Sequence, residues 1–145
     1  MENAQINRIL VPTDFSEPAL GAVRYAVGLA QQLEASVTLL YIVEPAIYPA
    51  ELGIAVNIEG DLVERGHEQI TKLAAKECGS IQADTEVLTG VADLKIVEAA
   101  EATGADMIVM GTHGHSGLAH VLLGSTAERV VRKAPCPVLT IRSEE

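Results

Sequence analysis

The chain has no tryptophan, one phenylalanine and three tyrosines among its 145 residues. So few rings exclude a base-stacking platform for single-stranded nucleic acid. They also leave the core to be built from Val, Ile, Leu and Ala. Basic side chains are scarce: 10 Lys and Arg stand against 20 Asp and Glu, a net charge of -10. No basic stripe offsets that charge, so nucleic-acid binding is not expected. Cysteine is limited to Cys78 and Cys136. Two thiols this far apart read as reduced core residues of a cytoplasmic protein, not as a disulfide framework or a zinc site. The opening residues MENAQINRILVPTD lack a basic region followed by a long apolar run, so no signal peptide is expected. Met107 to Ala127 carries no charge for a membrane-spanning length, yet its glycines and histidines make it a poor lipid helix. The expectation is a cytoplasmic protein without membrane insertion.

What remains is aliphatic and ordered. Hydrophobic residues make up 48% of the chain, enough for one ordinary domain over residues 1–145 with a single core. Short aliphatic runs alternate with helical patterns from end to end. RILVP (Arg8 to Pro12) reads as a buried strand. Ser16 then offers an N-cap and Pro18 suits a first helical turn, with Ala19, Val23, Ala26, Ala30 and Leu33 on one face. SVTLLYIV (Ser36 to Val43) is a second strand, followed by a Pro- and Gly-marked connection. Asp61 is placed to cap the next helix, and TEVLT (Thr85 to Thr89) is a third strand. Asp93 precedes a helix that Gly104 closes as a left-handed cap. MIVM (Met107 to Met110), a helix over Ser125 to Lys133, and VLTI (Val138 to Ile141) complete the series.

This βαβαβαβαβ order, with strands apolar on both faces, predicts an α/β fold: a single doubly wound, open, parallel five-stranded sheet with helices on both faces. In such sheets a ligand crevice opens beyond the strand carboxyl ends where the winding reverses. With strand order 3-2-1-4-5 the reversal lies between strands one and four. The segments that follow those strands are PTDFS, Pro12 to Ser16, and GTHGHSG, Gly111 to Gly117.

The second segment belongs to a longer uncharged stretch, GTHGHSGLAHVLLGSTA. Gly111 and Gly114 let backbone N–H groups approach a ligand without Cβ interference. Gly124, Ser125 and Thr126 open the next helix, where free N–H groups and the helix dipole favour an anion. A glycine-rich loop with a serine cap needs no ligand, but placement at the switch point favours one. Neither GxxxxGK[ST] nor GxGxxG is present. Gly90, after strand three, is near the same rim or is simply a tight turn.

The spacing Gly111-x2-Gly114-x9-Gly124-Ser125 resembles the ATP-binding signature of the universal stress protein family. The resemblance extends to RILVPTDFSEPA, GADMIVMGTHGHSG and APCPVLTI, and so over nearly the whole chain, with Val43 to Asp61 the freest part. Ala92 departs from it, standing where many relatives carry proline. The resemblance implies that Pro12, Thr13 and Asp14 line an adenosine pocket and that Ile42 meets the adenine. It implies that Gly111, with Met110 and Thr112 beside it, lies against ribose and inner phosphates. Gly114, Gly124, Ser125 and Thr126 would hold the phosphate chain, with His113 and His115 on the loop around it. Asp14 is equally suited to closing a turn before Ser16.

His113 and His115 lack the further ligands that zinc needs, so no metal site of the protein's own is expected. An acidic chain holding ATP needs Mg²⁺ or Mn²⁺ carried by the phosphates. The implied function is a nucleotide-binding regulator in stress response rather than an enzyme; the alternative is a slow ATP hydrolase or phosphotransferase using the same site. A phosphoacceptor reading fails, because Thr89 and Gly90 stand where a carboxylate is required. Val138 to Ile141 forms a sheet edge suited to a homodimer, or a higher oligomer. An unidentified protein partner is expected beside ATP.

Overall fold

The aliphatic runs become five strands and the periodic segments between them four helices. In chain order these are β1 (Arg8–Pro12), α1 (Glu17–Leu33), β2 (Ser36–Val43), α2 (Ala55–Glu77), β3 (Ala83–Thr89), α3 (Ala92–Thr103), β4 (Met107–Gly111), α4 (Ser125–Lys133) and β5 (Val138–Ile141). The structure is a computed structural model and describes residues 5–45, 55–113 and 123–142, with the backbone alone in 55–57. All strand pairs are parallel and their order is β3-β2-β1-β4-β5, as expected.

Alternation along each strand divides the core in two. Ile9 and Val11 of β1, Val37 and Leu39 of β2 and Val109 of β4 face α1 and α2, meeting Ala22, Val23, Ala26 and Ile70. Leu10, Leu40, Ile108 and Met110 face the other way, onto Ile96, Ala99 and Ala100 of α3 and Ala127 and Val130 of α4. Both faces of the central strands are therefore covered, as a parallel sheet requires. Among the described residues, no helix is long and apolar enough to cross a membrane.

Local chemistry sets most helix ends. The Ser16 hydroxyl accepts the Ala19 N–H at 3.3 Å, and Pro18 lies in the first turn of α1. Gly104 closes α3 in the left-handed conformation, φ 65°, with its N–H on the Ala100 and Glu101 carbonyls. Three expectations are corrected. α2 begins at Ala55, so Gly60 and Asp61 lie inside the helix and Asp61 does not cap it. Asp93 lies within α3, only 4% exposed, and its carboxylate accepts from Lys133 Nζ of α4 at 3.2 Å. Leu33 is 42% exposed, because α1 ends there with Glu34 turning left-handed at φ 54°. Cys78 is buried and Cys136 half-buried, both as free thiols. Burial pushes both thiols up, with Glu77 adding to Cys78 and Asp106 to Cys136, so neither is primed as a nucleophile.

At the amino end of the sheet, Asp106 fixes β1 beside β4. Its carboxylate accepts the N–H groups of Asn7 at 2.9 Å and Arg8 at 3.0 Å. Its own N–H donates to the Arg8 carbonyl at 2.8 Å.

Two glycines inside α2 differ sharply in their surroundings. A Cβ on Gly60 would meet nothing within 4 Å, whereas one on Gly66 would lie 2.7 and 2.9 Å from the Tyr41 ring. Gly60→Ala is therefore expected to stabilise the fold by about 0.5–1 kcal/mol through helix propensity. Gly66→Ala is expected to destabilise it by about 1–3 kcal/mol through overpacking. Urea denaturation of both variants checks the opposite signs.

Candidate functional site

β1 and β4 share only the pairs Ile9↔Met107 and Leu10↔Ile108. Beyond them each strand stays with its outer neighbour: Pro12 pairs with Leu40 of β2, and Gly111 with Ile141 of β5. A cavity of about 480 Å³ lies where the two central strands part. That volume falls within the range of about 300–1,000 Å³ usual for small-molecule sites.

Every described residue singled out from the sequence lines this cavity: Pro12, Thr13, Asp14, Ile42, Met110, Gly111, Thr112, His113, Gly124, Ser125 and Thr126. Gly114 and His115 lie outside the described residues. The cavity also takes in Leu40, Tyr41, Glu44, Ala92 and Ile96, which the sequence reading did not select. The same end-of-strand rule, applied to β2, points to Tyr41 and Glu44. Ala92 and Ile96 are signalled only by their place at the start of α3.

The turn after β1 is held by its own side chains. Thr13 donates its N–H to the Leu40 carbonyl at 2.8 Å, and its Oγ1 accepts the Phe15 N–H at 3.1 Å. Asp14 Oδ1 accepts the Ser16 N–H at 3.0 Å. Asp14 thus closes the turn as the sequence allowed, while also lining the cavity.

The opposite wall is built around Gly124. Its N–H donates to the Thr112 carbonyl at 2.7 Å. A Cβ there would stand 2.9 Å from that same oxygen, so the close approach requires glycine. Gly124 is also the N-cap of α4 and supplies no side-chain cap bond. The first N–H groups of α4, from Ser125 onward, have no intrahelical acceptor and begin at the cavity lining. His113 Nδ1 lies 3.1 Å from Thr112 Oγ1, and its buried Nε2 has no partner among the described residues.

One wall is apolar: Leu40, Met110 and Ile96 belong to the α3/α4 core, and Ile42 packs against it. Among the described lining residues the acidic side chains are Asp14 and Glu44, and none is lysine or arginine. The basic residues late in α4 are engaged elsewhere, Lys133 with Asp93 at 3.2 Å and Arg132 with Glu128 at 2.7 Å. Glu44 serves the start of α3, where Val91 gives no side-chain cap. Its Oε1 accepts the Ala92 N–H at 3.2 Å. The cavity thus brings helix N–H donors and two carboxylates together. Among the described residues, no group of three His, Cys, Asp or Glu is placed to hold a metal ion.

Comparison with known proteins identifies the family and the fold. A model of the universal stress protein family matches residues 5–142. The chain is 42% identical over 140 residues to universal stress protein MJ0531 of Methanocaldococcus jannaschii, covering 93% of this chain and 81% of that one. Among solved structures it is similar to the universal stress protein UspA from Lactobacillus plantarum. The two are 32% identical with a TM-score of 0.80, covering 97% of this chain and all of the other. It is also similar to a universal stress protein solved in complex with cAMP, at 26% identity and a TM-score of 0.63, over 94% of this chain and 97% of that one.

Proposed function

The chain belongs to the universal stress protein family, and from that premise we propose that it is a cytoplasmic regulatory protein that binds ATP in the cavity between β1 and β4. The observation that carries this reading is the pairing, in one 480 Å³ volume, of an aliphatic wall with a helix N-terminus that no side chain caps. The adenine lies against Leu40, Ile42, Ile96 and Met110, where a flat apolar ring gains by leaving water. Ribose and inner phosphates lie along Asp14, Met110, Gly111 and Thr112. The phosphate chain rests on the N–H groups of Ser125 and Thr126 and passes against Gly124 and Gly114, with His113 and His115 beside it. Mg²⁺ or Mn²⁺ carried by the phosphates offsets the carboxylates of Asp14 and Glu44. Nucleotide complexes occur among structures similar to this chain, the cAMP-bound relative being one.

The alternative, slow hydrolysis or phosphoryl transfer, rests on His113, whose imidazole lines the cavity and could orient water. A backbone cradle holds ground-state phosphate, whereas acceleration requires contacts that strengthen in the transition state. No lysine or arginine is among the described cavity residues, and such a group contributes on the order of 10³-fold or more in phosphoryl-transfer enzymes. ATP is therefore held rather than turned over.

Ser125→Asp tests the phosphate assignment directly. A carboxylate in the first turn suits the helix dipole, so the fold is retained, yet it repels a bound phosphate. Calorimetry with Mg-ATP is expected to show affinity reduced about tenfold or more, a change of roughly 1.4 kcal/mol or greater, with circular dichroism unchanged. Equal affinity in variant and parent would remove the phosphate cradle from α4.

Turnover is read in a single-turnover assay with excess protein, Mg²⁺ and labelled ATP. The expected rate is far below roughly 1 per second, the lower end of ordinary enzymes, and unchanged by His113→Ala. Phosphate release within seconds that disappears in that variant would establish the hydrolase instead.

The sheet order leaves β5 as an edge, its four residues half-buried. Apolar edges invite a second chain, so the protein is expected to be a homodimer through Val138 to Ile141. Light scattering at micromolar concentration should give a dimer for the parent and a monomer for Leu139→Pro. A monomeric parent would exclude the assignment.

A further inference from the structure

A second cavity, of about 270 Å³, lies on the α1/α2 side of the sheet. Phe15, Leu20 and Leu73 give it apolar walls, Thr13 closes its inner end, and Lys72 and Lys76 with Gln69 stand along α2 at its mouth. Thr13 lines the first cavity too, so the two volumes meet at one residue from opposite faces of the sheet.

The walls are held in an unusual way. Phe15 adopts a positive φ of 65°, a conformation that bulky side chains rarely take without support. That support comes from its N–H bond to Thr13 Oγ1 at 3.1 Å and from the Tyr41 ring, centred 4.7 Å away. The ring so held is one of the walls of the hollow.

The mouth is chemically out of keeping with the rest of the molecule. In a chain of net charge -10, Lys72 and Lys76 are exposed one helical turn apart and form no ion pair among the described residues. Lysine stems often lie over apolar surface and fill it, but here a void remains beneath them. An apolar hollow with two ammonium groups at its rim, unpaired among the described residues, matches a ligand with an apolar body and one anionic end.

We propose that this second cavity binds a small amphipathic anion, an unbranched medium-chain carboxylate whose tail lies along Phe15, Leu20 and Leu73 and whose head sits between Lys72 and Lys76. The site involves no nucleotide and stands whether or not ATP occupies the first cavity.

The probe is octanoate, titrated into nucleotide-free protein and followed by heteronuclear NMR. Saturable binding of one equivalent is expected, with shifts at Phe15, Leu20 and Leu73 and none at Met110 or Gly111. Lys72→Glu combined with Lys76→Glu should weaken binding about tenfold or more while the circular dichroism stays that of the parent. Leu73→Trp, which fills the hollow, should abolish it; the surface lysine variant decides the matter if the tryptophan variant fails to fold. Octanol should bind about tenfold more weakly than octanoate. Several outcomes overturn the proposal: no saturation with octanoate, octanol binding as tightly, inorganic phosphate alone producing the same shifts, or octanoate shifts confined to Met110 and Gly111.

Discussion

Right-handed crossovers oblige a parallel sheet to change direction if both of its faces are to be covered, and everything at the site descends from where this chain makes that change. β1 and β4 are neighbours, but α1 leaves toward one face and α4 toward the other. The ladder stops after Leu10 and Ile108. Asp106 keeps the other end closed by accepting two backbone N–H groups of the β1 approach. The opening is thus confined to the carboxyl side, where α4 arrives with an uncapped N-terminus.

Scarcity of aromatic residues shapes the walls of that opening. The single phenylalanine of the chain lies beside one of its three tyrosines. The Tyr41 ring occupies the space that a side chain at position 66 would need, and so α2 carries glycine in its interior. That glycine lowers intrinsic helix propensity in return for an aromatic pair wedged between helix and sheet. Tyr41 lines the first cavity and Phe15 the second. The opposite face uses only aliphatic packing, with Leu10, Leu40 and Ile108 fully buried.

The sheet order and the residues around the first cavity were legible because both depend on period and on position relative to strand ends. Strands with both faces apolar announce burial locally, and the glycines at 111 and 124 mark close backbone approaches locally. What escaped depends on contacts distant in sequence. Asp93 looks like a helix cap until Lys133, 40 residues on, is seen to hold its carboxylate. Glu44 carries no signal of its own, since the N–H it accepts belongs to Ala92, 48 residues away. Gly60 reads as loop because its composition is read without the helix around it. In place, it faces open space and interrupts nothing. Leu33 fits the periodic face of α1, but periodicity does not say where a helix runs out of core to cover.

The 2.7 Å bond from the Gly124 N–H to the Thr112 carbonyl fixes both ends of the intervening segment at a single point on the scaffold. Strand and helix are thereby insulated from whatever the chain does between them. Lengthening such a closed excursion adds only about 0.6 kcal/mol per doubling in closure entropy. The frame on either side therefore tolerates change between its two ends at little cost in folding stability. A single hydrogen bond across a glycine fixes the mount from which the segment is carried.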